Sequence, residues 1–103
     1  MLLTNTENIP GKQYEIIGVV SGNMIQSKHI GKDIGQGLKT IVGGELKAYT
    51  QMMAESRDMA TQRMVENAEA LKADAVVCVR YATSAVMGGA AEMVCYGTAV
   101  RFV

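Results

Sequence analysis

Few residues in this sequence carry reactive or ligand-forming chemistry: one histidine, His29, two cysteines, Cys78 and Cys95, and the arginines Arg57, Arg80 and Arg101, which interrupt apolar patterns. The stretch most suggestive of a ligand is SKHIGKDIGQGLKT, from Ser27 to Thr40. Its glycines, lysines and closing Lys-Thr are the ingredients of a phosphate-cradling loop. A Walker loop needs four residues between its glycines and then Gly-Lys-Ser/Thr without interruption. Here Leu38 stands between Gly37 and Lys39, so the lysine is displaced. The dinucleotide fingerprint fails as well: Gly35 and Gly37 supply its first half, but Thr40 stands at the final glycine. The stretch reads instead as a connector whose glycines permit tight turns.

Metal chemistry is thinly supplied. A closed zinc site takes four ligands, usually in local pairs. There is no CxxC, no HxxxH and a single His. Cys78 and Cys95 have the parity to share one face of a hairpin centred on Gly88-Gly89, where 95 would pair with 82 and lie about 13 Å from 78. A shifted turn centre would bring the two thiols opposite each other. Buried structural cysteine is the favoured reading of this pattern, and a soft-metal or redox pair is the alternative. Hydrolysis needs a base beside a nucleophile. His29 has only Asp33 as a near acidic companion, in glycine-rich surroundings. That suits a solvated loop side chain and gives no catalytic residue.

Arg57 is the anomaly. It falls inside an apolar helical stripe, where a guanidinium must snorkel or find an acidic partner. Arg80 and Arg101 break alternating strands in the same way. Ion pairing between elements or subunits accounts for all three. An anion site built from Arg57 and Arg80 is the functional alternative, and an enzyme with such a site between subunits is its extension.

Composition excludes several classes. Ten basic residues balance ten acidic ones, so no basic stripe invites nucleic acid. Aromatic residues make up 5% of the chain, with no Trp, which is poor material for stacking bases. No run of about 18 apolar residues exists to cross a membrane. The N-terminal MLLTNTENIPGK lacks the layout of a signal peptide. Free thiols without such a signal point to the cytoplasm.

The elements that must position these residues follow from periodicity. Residues 13–26 read as a strand rich in Ile and Val, with Gly18 and Gly22 on one face at a bend or a close helix approach. Residues 27–44 are glycine-rich, with room for a short helix. Residues 45–72 contain no Gly or Pro and read as one long helix, with Leu46, Tyr49, Met53, Ala60, Met64, Ala68 and Leu71 in a stripe and Met52 and Met59 on its shoulder. Residues 74–85 and 91–103 read as two strands joined by a turn at Gly88-Gly89. The expectation is one α+β domain over 1–103: a small, mostly antiparallel sheet in the order β-α-β-β, covered by one long helix. A 28-residue helix is about 42 Å long, whereas a compact domain of this size has a radius of gyration near 13 Å. The helix should overhang its sheet and need a second copy to cover its methionines.

The run GGELKAYTQMMAESRDMATQRMVENAEALKADAVVCVRY, residues 43–81, resembles the signature of the YbjQ family, and the opening LLTNTENIPGKQYEIIGVVSGNMIQS resembles that family's start. Gly43-Gly44-Glu45, Tyr49, Arg57, Met64 and the Ala-Val-Val stretch at 75–77 carry the resemblance. It implies a subunit similar to the dodecin-like fold, assembled into a ring-shaped homo-oligomer, a pentamer. The family is labelled as binding heavy metals and has no established biochemical function. No compact Cys or His set accompanies the matched motifs, so Cys78 and Cys95 are the only candidate metal ligands and the cofactor is unknown. A small anion or a metal ion is the expected ligand class. One departure is Ala73, where a glycine would favour the helix C-cap.

Overall fold

In the computed structural model, residues 1–26, 47–87 and 90–103 are described. The glycine-rich stretch with His29, the short helix expected in it, and the turn residues Gly88 and Gly89 lie outside them. The described elements are β1 (Leu2–Leu3), β2 (Tyr14–Gln26), α1 (Lys47–Ala70), β3 (Ala75–Met87) and β4 (Ala90–Phe102). They form a four-stranded open sheet in the order β1-β3-β4-β2. β4 pairs antiparallel with both β2 and β3, while the two-residue β1 pairs parallel with β3. The α+β expectation holds, and the sheet is mostly antiparallel as expected, made mixed by the two-residue β1.

The helix sits on one face of the sheet, over β2 and β4, and scarcely reaches β3. Ala60, Met64 and Ala68 are fully buried beneath it against Val20, Val76, Met93, Cys95 and Ala99. The inward stripe differs from the expected one. Ser56 is buried and Arg57, one residue on, is exposed. The inward positions Met53, Ser56, Ala60 and Met64 follow the 3.6-residue period, which turns residue 57 away from the sheet. Leu71, expected in the stripe, is 44% exposed past the helix end.

The described helix is shorter than the strands, but Ser56 already lies at Gln26, the last residue of β2. The helix has 24 residues, about 36 Å, whereas β2, β3 and β4 have 13 each, about 43 Å. Long strands, well beyond the usual five or six residues, give the molecule its 53 Å long axis and a radius of gyration of 16.6 Å.

Two glycines let layers meet. A Cβ on Gly22 would sit inside the helix backbone, against Met64 N and Ala60 O. Gly22 is thus the close-approach glycine, while Gly18 lies at a β-bulge between β2 and β4. A second bulge interrupts β3: Val77 pairs with Thr98 and Arg80 with Tyr96, so Cys78 and Val79 both oppose Gly97. Cys78 adopts φ 56° there, in the left-handed region.

The opposite face carries a second cluster of Ala75, Val77 and Val100. The N-terminal segment folds over it. Cys78 N donates to Thr6 O, Val79 N donates to Thr4 O, and Tyr14 Oη donates to Glu7 O at 2.6 Å. Ile9, Tyr14, Cys78 and Phe102 pack around the cluster.

The helix ends in a Schellman arrangement. Ala73 N donates to Ala68 O, Lys72 N donates to Glu69 O, and Lys72 takes φ 60°. The strained cap residue is therefore Lys72, not Ala73. Glycine adopts this conformation without the Cβ clash, though it loses more entropy on folding. Lys72→Gly is expected to stabilise the protein by roughly 0.5–1 kcal/mol, raising Tm by a few degrees. A differential scanning calorimetry trace with an unchanged or lower midpoint contradicts this cap assignment.

Candidate functional site

The sequence-derived candidates do not converge. Arg57 projects from the exposed side of α1, and among the described residues its guanidinium makes no ion pair. Arg80 follows the β3 bulge and points away from the helix, its Nη1 donating to Asn5 O at 3.4 Å and Val79 O at 3.5 Å. The next residue, Tyr81, points to the helix side, where its hydroxyl meets Thr61 Oγ1 at 2.9 Å. Arg57 and Arg80 are thus on opposite sides of the sheet and make no shared anion pocket within one chain. Arg101 has structural work instead: Nη1 pairs with Glu15 Oε1 at 3.3 Å and Nη2 donates to Leu71 O at 3.2 Å, at the helix C-terminus.

The thiols also part company. Cys95 pairs with Tyr81, one residue from the expected partner, because a register shift lies between Ala85 and Met87. It is fully buried under the helix, with Sγ 3.5 Å from Met64 Sδ. Cys78 packs in the cluster on the other face, half-buried beneath the N-terminal segment. Uninterrupted alternation from Val76 would have put residue 78 on the helix side. The bulge inserts one residue and reverses the parity. One ion cannot bridge Cys78 and Cys95 within a chain. Among the described residues, no group of three or more His, Cys, Asp or Glu could hold a metal. A closed thiolate or imidazole centre does not fit the described residues.

A different arrangement emerges at the end of β2. Gln26, Met52, Met53, Ser56 and Met93 line a cavity of about 10 Å3 between strand, helix and sheet. Gln26 Nε2 donates to Ser56 Oγ at 2.7 Å, and Ser56 Oγ donates to Met52 O at 2.9 Å. Because the hydroxyl proton is committed to Met52 O, the hydroxyl must accept from Gln26, which fixes the amide orientation. Gln26 Oε1 is then buried with no hydrogen-bond partner. The sequence offered only a partial signal. Met53 belonged to the stripe and Met52 to its shoulder, but nothing in the local pattern marks Gln26 or Ser56.

Beyond the N-terminal segment, the sheet face opposite the helix is open. Ile16 is 71% exposed and Val19 79%. Further along it, Glu92 accepts from Asn23 Nδ2 at 3.0 Å and from Ser84 Oγ at 3.5 Å. Among the described residues β2 has no partner on its outer side, and β3 has none beyond its short pairing with β1 and the N-terminal segment. No helix among the described residues is long and apolar enough to cross a membrane.

Comparison with known proteins adds sequence and fold relatives. A family model, YbjQ, described as "Putative heavy-metal-binding", matches residues 1–103. A UPF0145 protein of Clostridium novyi is 61% identical, with 98% of each chain covered. UPF0145 proteins of Thermosipho africanus and Alkaliphilus metalliredigens are each 58% identical, covering 98% and 100% of this chain and 94% and 100% of their own. A crystal structure of a DUF74-family protein of unknown function from Pediococcus pentosaceus superposes with a TM-score of 0.73 at 20% identity, covering 100% of this chain and 98% of its own. That likeness is one of fold.

Proposed function

The chain belongs to the YbjQ family, and we propose that it works as a self-assembling, non-catalytic module, a homo-oligomeric ring and by family resemblance a pentamer. One observation carries this reading: β2 presents a 13-residue edge without a described partner, flanked by the exposed Ile16 and Val19. A long, apolar-flanked edge is a template for another strand. The two open edges, on β2 and on the far half of β3, are unlike each other. Joining unlike surfaces head to tail gives a ring when the rotation closes. Arg57 enters the same reading as a contact between subunits, because it is exposed and unpaired within its own chain among the described residues. Arg80, held among the described residues by long contacts to backbone carbonyls, is available for the same use. An anion site made of these arginines would require more than one chain.

Val19→Lys places a charge on the open face beside the edge. Multi-angle light scattering is expected to give a multiple of the 11.0 kDa chain mass for the wild type and a smaller assembly for Val19→Lys and for Arg57→Leu. A wild-type monomer at micromolar concentration ends the proposal.

A second reading, soft-metal binding, is favoured by the sulfur packed between helix and sheet. Met52, Met53, Met64, Met93 and Cys95 all lie in that layer. The family's description supports it, although the thiolate-and-imidazole chemistry usual for divalent metals is missing from the described subunit.

A further inference from the structure

We propose that Arg63 and Asn67 of α1 act as a latch on the middle of β2's outer edge, and that the latch competes with one partner, β3 of a second copy of this chain. The latch rests on the assembly reading above and adds where on the edge two copies join and what must move first.

Among the described residues no strand lies on the outer side of β2, yet the helix takes two of its carbonyls there. Arg63 Nη1 donates to Asn23 O at 2.7 Å, and Asn67 Nδ2 donates to Ser21 O at 2.7 Å. Carbonyls two residues apart in a strand point to the same side. β4 is paired with β2 from Tyr14 to Gln26 and fills the inner side. The exposed side chains of Arg63 and Asn67 therefore reach these oxygens from outside. The two residues are four apart, on one face of the helix. The latch takes acceptors only. In an antiparallel ladder a residue's N–H points to the same side as its C=O, so the amides of Ser21 and Asn23 still face outward, as a docking strand requires.

The partner follows from where the other open edge lies. β2 and β3 both run antiparallel to β4, and so parallel to each other. Through β4, Ser21 is level with Arg80 and Asn23 with Ala82. The outer side of β3 is covered by the N-terminal segment as far as Val79, whose N–H donates to Thr4 O. From Arg80 to Ala85 no described strand lies against it. The open stretch of β3 is thus level with the latched stretch of β2. The unlatched stretch of β2, around Ile16, is level with Ala75 instead, where β1 already sits. Joining Ile16 of one copy to Thr83 of the next would offset successive copies by the eight residues from Ala75 to Thr83, about 25 Å. Such an offset builds a staircase, not a closed ring. Joining the level stretches keeps the copies in step, and it requires Arg63 and Asn67 to give up Asn23 O and Ser21 O to the N–H groups of the second copy.

The test is sedimentation velocity over a dilution series of the full chain and of the double variant Arg63→Ala/Asn67→Ala. Losing two competing hydrogen bonds is expected to tighten self-association about tenfold or more. Circular dichroism reports whether the variant folds, and Asn67→Ala alone, which keeps Arg63, is expected to give a smaller tightening. Amide exchange on the wild type supplies a second readout. The Ser21 and Asn23 amides are expected to exchange freely when the copies are diluted apart and to be protected in the assembly. Equal or weaker association of the folded variants, or exchange at Ser21 and Asn23 that does not change with assembly, overturns the latch and leaves the assembly reading standing. A wild type that stays monomeric while the double variant assembles supports the latch and removes the ring reading. If neither chain assembles, both fall.

Discussion

Gly22→Ala is expected to destabilise the protein by about 3 kcal/mol or more, the upper end of what overpacking costs. The added methyl would not meet the flexible tip of a side chain. It would meet Met64 N and Ala60 O, atoms of the helix backbone. Neither can rotate away, so strand and helix must separate along their length. That separation would loosen Val20, Cys95 and Ala99, which pack under the same helix. Total stability for a domain of this size is about 5–15 kcal/mol, so the variant would lose a large share of it. Urea unfolding followed by circular dichroism gives the answer. A midpoint equal to that of the wild type would mean that helix and strand are not in direct contact at this point.

Met64→Ala is the second large effect, expected at about 2–5 kcal/mol. Met64 is fully buried and packs at the centre of the helix-side cluster, with its sulfur 3.5 Å from the Cys95 thiol. Truncation loses the transfer free energy of the side chain and leaves a cavity flanked by β4, which is bonded on both sides and cannot easily collapse inward. Met64→Leu keeps the volume and is expected to cost less than about 1.5 kcal/mol. Comparing the two separates packing from the sulfur contact. A Leu variant as damaged as the Ala variant would assign the weight to sulfur.

Much of this architecture was legible because it rests on periodicity. The helix has no Gly or Pro to interrupt it, and the three long strands are bounded by turn residues, so type and order could be read along the chain. The close approach at Gly22 was visible as a glycine in an apolar strand. What failed was parity and phase. Local spacing puts Arg57 in the stripe, between Met53 and Ala60, yet a shift of one residue turns Ser56 inward and leaves Arg57 in solvent. Hairpin parity puts Cys78 on the same face as Cys95, yet the bulge opposite Gly97 sends it to the other face. A bulge is one extra residue without a distinct local signature, and it inverts every side chain before or after it. The strands are longer than those of a typical compact domain, which no local pattern predicts, and they stretch the molecule to 53 Å. The Gln26–Ser56 contact joins residues 30 positions apart, a separation that no local pattern encodes.

The position of β4 also bears on how the protein is made. β4 follows β2 and β3 in order of synthesis, yet it lies between them and is hydrogen-bonded to both. While the ribosome is still translating residues 90–102, β2 and β3 lack the strand that joins them. The sheet is consequently completed only after β4 has been made, and until then the unfinished chain exposes apolar surface and unpaired strand edges of the kind that aggregate. A nonsense codon just before β4 would not produce a smaller version of the protein but a chain without its sheet.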